Sequence, residues 1–341
     1  MPEDKNKVTI YDVASKAGVA ISTVSRVLNS SPDVSDETRA RVKRAIEILN
    51  FSPDRVARSL AQQKVQTIAL AIPTFTTPFH NELLKGIRNC IRDEDIDLLL
   101  CDLGSTDRHV KLLNFLHRGA VSGLLLAGVK VTDRIASELK TMNAPVVVIG
   151  YHHPNFDSYS WDDSHGAGLA VSHLIERGHK RIGLIRSSSQ SNTQNERIAG
   201  YRRALEAAGL DFDESIVVSG ETAKHAGYSE ESGFEAMKRM LAISPRVTAV
   251  FASSDAQAIG AWRAIREEGL TVPNDIALVG YDDVKTSRFI GLSTVDQHML
   301  AVGEKAAARL MQRVEGKMNE PPQSFLERPE LKIRNSSETS R

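Results

Sequence analysis

The stretch Val8-Thr9-Ile10-Tyr11-Asp12-Val13-Ala14-Ser15-Lys16-Ala17-Gly18-Val19-Ala20-Ile21-Ser22-Thr23-Val24-Ser25-Arg26-Val27-Leu28 decides how the chain begins to fold. Thr9 followed by Asp12 has the spacing of a capping box and starts a helix that runs to about Lys16. Ala17-Gly18-Val19 makes a tight turn centred on glycine, and a second helix covers about Ile21–Leu28. The small side chains of Ala14 and Ala17 permit the close crossing such a turn needs. Helix, short glycine turn, helix is the helix-turn-helix pattern. A third helix follows Ser35, with Asp36 and Glu37 in its electropositive first turn, and runs to about Leu49. A short fourth helix is expected from Ser52 as cap and Pro53 at its first position, through Ala61. Gln62–Gln66 then reads as a polar linker.

The charge of the 341-residue chain sums to zero, with 43 basic and 43 acidic residues, but it is unevenly spread. Residues 1–65 hold 11 Lys/Arg against 8 Asp/Glu, and the remainder is correspondingly acidic. Within 39–64 seven basic residues face two acidic ones. A small basic head on a mildly acidic body suits a DNA-binding module joined to a sensing or catalytic body. A solvated helix face would carry similar charge.

From Gln66 the pattern changes. Short β-branched or leucine-rich runs occur at Ile68–Ile72, Ile96–Cys101, Val121–Ala127, Pro145–Ile149, Arg181–Ile185, Thr248–Ala252 and Ile276–Gly280. Amphipathic helical stretches lie between them, among them Phe79–Asp93, Asp107–Leu116, Ser164–Glu176, Arg197–Ala208, Glu230–Leu241, Asp255–Glu268 and Leu300–Val314. This alternation implies parallel sheets flanked by helices, and its length implies two lobes. Open parallel sheets bind ligands beyond the carboxyl ends of their strands. That points to the segments after Ile72, Cys101, Ile149, Ile185, Ser253 and Gly280.

Several classes of function do not fit. The longest apolar runs fall far short of the roughly 20 residues a bilayer requires. Cys90 and Cys101 are the only cysteines, too few for a disulfide scaffold or a cysteine-rich zinc site. The polar N-terminus lacks a secretory signal, so the expected compartment is the cytoplasm. Phosphate-binding loops, nucleophile elbows and dinucleotide fingerprints are missing, and no catalytic residue, cofactor or metal is assigned. A transport-binding protein would show a secretory signal and no basic head, the reverse of this chain.

Residues 8–29, ending in Ser25-Arg26-Val27-Leu28-Asn29, closely resemble the head of the lac repressor (LacI/GalR) family of transcription regulators. Asn50-Phe51-Ser52-Pro53-Asp54-Arg55-Val56-Ala57-Arg58-Ser59-Leu60 looks like that family's hinge. Pro78-Phe79, His173–His179, Arg197-Ile198-Ala199-Gly200-Tyr201, Ser254–Gly260 and Val279-Gly280-Tyr281-Asp282-Asp283 follow in the family's order. The resemblance spans roughly residues 8–334. It implies an all-α helix-turn-helix head (1–50), a hinge helix and linker (51–65), and an α/β sensor domain (66–341) of two lobes like periplasmic sugar-binding proteins. By analogy the first lobe is about 66–161 with 293–320, and the second about 162–292 with 321–336. The implied assembly is a homodimer on a palindromic double-stranded DNA operator. The polar C-terminal tail, unlike the leucine heptads of tetrameric relatives, agrees with a dimer.

In a helix-turn-helix the start of the second helix enters the major groove, which directs Ile21, Ser22 and Arg26 to base edges. Thr9, Tyr11, Ser25, Asn29 and Asn50 are candidates for DNA contacts beside them. Outside such a motif Ser22 and Arg26 would read as ordinary exposed helix residues. Ala20 departs from the family's usual serine, which removes a hydroxyl cap worth about 1 kcal/mol. The resemblance makes Leu60 a wedge into the minor groove, with Ala57 letting two hinge helices approach and Arg55 contacting DNA. For the sensor, it maps effector contacts to Phe79, His80, Tyr151, Asp162, Arg197, Tyr228 and Asp282, a set suited to a small polyol: a sugar or sugar phosphate. Asp162 and Asp282 could equally be helix caps or turn formers, and Thr222–Gly227 looks like an insertion that shifts the register around Tyr228. Purine-sensing relatives usually carry arginine where Ser191 stands, which disfavours a purine. A non-sugar metabolite or a partner protein is the alternative signal.

Overall fold

The computed structural model of the chain describes residues 8–28, 31, 33–51, 67–104, 107–116, 121–142 and 144–338. Two compact units divide it, Met1–Gln66 and Thr67–Arg341. The expected fourth helix over 52–61, with Arg55, Ala57 and Leu60, the linker over 62–66, and Asn29 lie outside the described residues.

In the first unit, α1 (Ile10–Ala17), α2 (Ile21–Leu28) and α3 (Asp36–Leu49) form as the caps predict. The Asp12 carboxylate accepts from the Thr9 amide at 2.8 Å and its hydroxyl at 2.7 Å. Gly18 closes α1 in the left-handed conformation (φ +63) that glycine adopts without penalty. Ala20 supplies no side-chain cap, yet its carbonyl accepts from the amides of Thr23 and Val24 at 2.9 and 3.2 Å, and α2 starts on schedule. Val13, Ala14, Val24, Val27, Val42 and Ala45 bury together as this unit's core.

The second unit holds two six-stranded sheets. The first contains β1 (Thr67–Ile72), β2 (Asp97–Asp102), β3 (Gly123–Ala127), β4 (Val146–Ile149) and β5 (Asp157–Trp161), completed by β11 (Ser324–Glu327). Its order is β11-β5-β4-β3-β1-β2, parallel throughout. The second contains β6 (Ile182–Ile185), β7 (Val217–Val218), β8 (Ala249–Ala252), β9 (Ala277–Tyr281) and β10 (Ser293–Asp296), completed by β12 (Glu330–Lys332). Its order is β12-β10-β9-β8-β6-β7, with only β12 antiparallel.

Helices α4 (Pro78–Ile91), α5 (Arg108–Leu116), α6 (Asp133–Thr141) and α12 (Met299–Val314) belong to the first lobe's stretches of chain and its packing. The second lobe uses α7 (Asp163–Glu176), α8 (Asn192–Ala207), α9 (Glu230–Leu241), α10 (Asp255–Glu267) and the short α11 (Lys285–Ile290). Glycine sets how closely some of these pack. A Cβ on Gly86 of α4 would lie 1.9 Å from the Leu300 carbonyl oxygen of α12, and one on Gly303 would lie 2.3 Å from that of Leu83. The central strands β1, β3, β4, β6, β8 and β9 are buried, almost wholly apolar runs, as strands covered on both faces require.

The lobe boundaries read by analogy need correction. Ser293–Asp296 belongs to the second sheet, where it pairs with β9, and Ser324–Glu327 belongs to the first, where it pairs with β5. The chain therefore changes lobes around Asp162, Gln297 and Arg328, later at the last two points than expected. The three passages touch: the Trp161 indole donates to the Gln297 carbonyl at 2.8 Å, and the Asp162 amide to the Glu327 carbonyl at 3.1 Å. Among the described residues, no helix is long and apolar enough to cross a membrane.

Candidate functional site

Two surfaces gather the residues singled out by sequence. On α2, Val24 and Val27 face the core, which turns Ser22 and Arg26 outward on the opposite side, one helical turn apart. Thr9, Tyr11 and Ile21 are exposed as well, Tyr11 to 67%, and Ser25 is half-buried. Asn50 has a structural task of its own. It ends α3 in the left-handed conformation (φ 47), which asparagine tolerates better than most residues, and its amide donates to the Glu47 carbonyl.

Within the second unit, a cavity of about 540 Å³ lies between the two lobes. All six segments expected beyond strand ends contribute to its wall: Pro73, Asp102, Tyr151, Ser189, Ser254 and Asp282 represent one each. Of the mapped contacts, Phe79, His80, Tyr151, Arg197, Tyr228 and Asp282 line it. Asp162 does not. Its carboxylate caps α7 by accepting from the His165 amide at 2.9 Å, and the next residue, Asp163, turns into the cavity instead.

Arg197 is wired into the protein. Its Nε donates to the Asp163 carboxylate at 2.9 Å, Nη1 donates to the Ser253 carbonyl, and the guanidinium lies 3.7 Å above the Tyr281 ring. Burial opposes its charge, but Asp163 and other neighbouring groups outweigh that and hold Arg197 firmly protonated. Asp282 accepts from Gln297 Nε2 at 2.9 Å. Burial pushes its pKa well above the carboxylate range, reinforced by Asp255 and Asp163 and opposed by Arg197. A protonated Asp282 offers both a donor and an acceptor to a hydroxyl.

The backbone there is strained, with φ +119 at Asp282 and +50 at Asp283. Asp255 supports it, accepting from the Val284 amide at 2.9 Å and the Ser287 hydroxyl at 2.7 Å. On the opposite wall Phe79 meets Trp161 edge-on, with centroids 6.4 Å apart. His80 Nδ1 lies 2.6 Å from the Thr77 hydroxyl. Burial, helped by the charges of His225 and Arg108 and opposed by Asp102, lowers the His80 pKa to about 4.

Residues 9–54 match the model for bacterial regulatory proteins of the lacI family, and residues 171–337 match the periplasmic binding protein-like domain. The HTH-type transcriptional repressor PurR of Mannheimia succiniciproducens is 34% identical over 96% of this chain and 98% of its own. The HTH-type transcriptional regulator CelR of Thermobifida fusca is 33% identical over 95% and 97%.

The chain belongs to the lacI family.

Solved members agree. A lac repressor dimer bound to operator and the anti-inducer ONPF superposes with a TM-score of 0.81 at 28% identity, over 97% of this chain and 99% of that one. A complex of the regulator CelR with cellobiose gives 0.70 at 32%, over 97% and 100%. As a lacI family member, the chain is a DNA-binding transcription regulator that answers to a small-molecule effector, and it is not an enzyme.

The mapping missed several wall residues of the cavity: Asp163, Trp161, Gln297, Arg108 and the stretch Ala223–Ala226. Trp161, Asp163 and Gln297 sit where the chain changes lobes, a position that becomes visible only when the sheets are assembled. Arg108 follows the end of β2, in one of the segments expected beyond strand ends. Ser191 caps α8 by accepting from the Gln194 amide at 3.3 Å and also lines the cavity.

Proposed function

We propose that the protein is a repressor that binds a palindromic operator as a dimer and takes a carbohydrate between the lobes of its sensor. The observation that carries the carbohydrate reading is the pairing of walls in the cavity. Phe79 and Trp161 offer aromatic surface to sugar C–H faces, while Asp163, Asp282 and Gln297 offer a buried set of donors and acceptors for neighbouring hydroxyls. Relatives support it: besides the cellobiose complex of CelR, a LacI family regulator from Enterococcus faecium, with a TM-score of 0.71 at 26% identity, has bound ribose. Ser191 stands where purine sensors usually carry arginine.

Arg26 reads a guanine edge and Ser22 lies beside it, with Ile21 against apolar base surface; Thr9, Tyr11, Ser25, Asn29 and Asn50 hold the phosphates. A hinge with Arg55, Ala57 and Leu60 joins head to sensor and wedges the centre of the operator. The dimer is supported by β2, an edge strand that presents Leu99 and Leu100 to solvent, 45% and 39% exposed. Such an edge invites a second copy.

Selection from random duplex DNA with the full-length protein tests this reading. Enrichment of a palindrome that carries a flexible central step supports it. Enrichment of a site without two-fold symmetry contradicts the dimer, and failure to enrich any sequence, with and without a carbohydrate pool, contradicts the operator.

A further inference from the structure

Two features of the cavity exceed what a neutral sugar uses. The first is Arg108. It opens α5 directly after Asp107, whose backbone is left-handed at φ +53, and it lines the cavity half-buried. Its Nε donates to the Gly104 carbonyl at 3.0 Å. Among the described residues no carboxylate reaches ion-pairing distance of the remaining guanidinium nitrogens. Asp102, at the end of β2, accepts instead from the Gly104 amide at 2.7 Å.

The second feature is the loop Thr222–Gly227 on the other lobe. His225 and Ala226 are both left-handed, at φ 51 and 57, and Gly227 follows at φ 88. Two consecutive L-residues in that region are rare and costly, so surrounding contacts must impose them. They do. The Glu235 carboxylate accepts from the amides of Glu221 and Thr222 at 2.7 and 2.9 Å. The Gly227 carbonyl accepts from Gln257 Nε2 at 2.9 Å. Lys224 is spent on Glu231 at 2.9 Å, which leaves His225 as the loop's basic side chain at the cavity without a carboxylate partner among the described residues. His80 and Arg108 from the first lobe and His225 from the second all line this one cavity.

A ligand filling this cavity strips water from Arg108. A neutral hydroxyl replaces that water poorly, whereas an oxyanion matches the guanidinium fork with two charge-assisted bonds. We propose that the effector is an acidic carbohydrate whose carboxylate or phosphate group seats against Arg108, His225 and Nε2 of His80, while its hydroxyls meet Asp163, Asp282 and Gln297. This rests on reading the cavity as a carbohydrate site. The anionic group bridges side chains from both lobes.

The test is calorimetry on the full-length protein with matched triplets: glucose, glucuronate and glucose 6-phosphate, the galactose and mannose counterparts, and inorganic phosphate alone. In at least one triplet an acidic member binds about tenfold or more tightly than its neutral parent, since a charge-assisted pair is worth at least one decade. The carboxylate and phosphate arms identify the source of the anion. Arg108→Gln collapses that preference to near unity. His225→Asn, which keeps a side chain tolerant of left-handed backbone, weakens it independently.

A neutral parent that binds as tightly as its acids overturns the proposal and leaves the carbohydrate reading standing. Survival of the preference in both variants does the same. Inorganic phosphate binding as tightly as the sugar phosphates also overturns it, and so does absence of binding across all triplets.

Discussion

Arg197 and Asp163 form a buried ion pair across the mouth of the second lobe, 2.9 Å apart, with side chains only 4% and 10% exposed. The pair ties α8 to the first residue of α7, at the point where the chain has just left the first sheet. Removing one partner leaves an uncompensated buried charge, a loss of about 3–5 kcal/mol. Asp163→Asn should lower the urea midpoint of the sensor by that order and should also impair effector binding. A midpoint equal to the wild type would show that the pair is dispensable.

The glycine contact between α4 and α12 makes a sharper packing prediction. Because the Leu300 carbonyl leaves no room for a Cβ at position 86, Gly86→Ala forces the helices apart at a cost of about 1–3 kcal/mol. The melting temperature should fall, whereas alanine at Gly178, which has open space around it, should pay only for its positive φ of +91.

Stability should depend on pH through buried groups of opposite sign, among them His80 and Asp255. His80 titrates at about 4 when folded against 6.5 in the free side chain. Between those values the unfolded chain binds the extra proton, so this contribution is lost as pH falls from about 6.5 toward 4. Asp255, pushed up by burial to about 7 from 3.8, acts in reverse: its contribution is lost as pH rises from about 4 through 7. The two partly cancel in the wild type, so the comparison is with His80→Gln and Asp255→Asn. The first should flatten the acid-side loss, and the second should make the protein relatively more stable near neutrality than at pH 4. Unchanged slopes in both variants would contradict these assignments.

On the head, Arg26→Ala should cost about 1–3 kcal/mol of operator affinity and relax selection at one base pair of each half-site. Electrophoretic competition with singly substituted operators measures it. A uniform loss across all sequences would make Arg26 a phosphate contact.

Leu60→Ala should weaken specific binding about tenfold or more while the sensor stays folded, because unstacking a base step costs a few kcal/mol that only a wedge recovers. Operator affinity equal to the wild type would exclude the wedge.

How much of this was legible depends on whether the signal is local. The head's helices carry their own start and stop signals in Thr9, Gly18 and Ser35, and they form where those residues direct. Apolar strands such as Val146–Ile149 were equally plain. Strand β5, Asp157-Ser158-Tyr159-Ser160-Trp161, was not, because its polar residues are satisfied from far along the chain. Arg309 and Arg313 reach the Asp157 carboxylate at 2.9 and 2.8 Å. The exchange of Ser293–Asp296 and Ser324–Glu327 between lobes was hidden for the same reason, since short strands take their side from pairing partners. Arg197 and Asp282 were found through compact motifs. Asp162 and Asp163 look alike in sequence until the helix start assigns the first to the cap and the second to the cavity. The strained loop around His225 could be seen as an insertion, but not as part of the cavity wall.

The most direct measurement is fluorescence anisotropy of the selected operator, titrated with full-length protein with and without each carbohydrate that calorimetry shows to bind. Occupying the cavity should change operator affinity by about tenfold or more, the coupling of 1–3 kcal/mol typical of linked sites. Operator affinity that stays constant while the carbohydrate demonstrably fills the cavity would contradict the account.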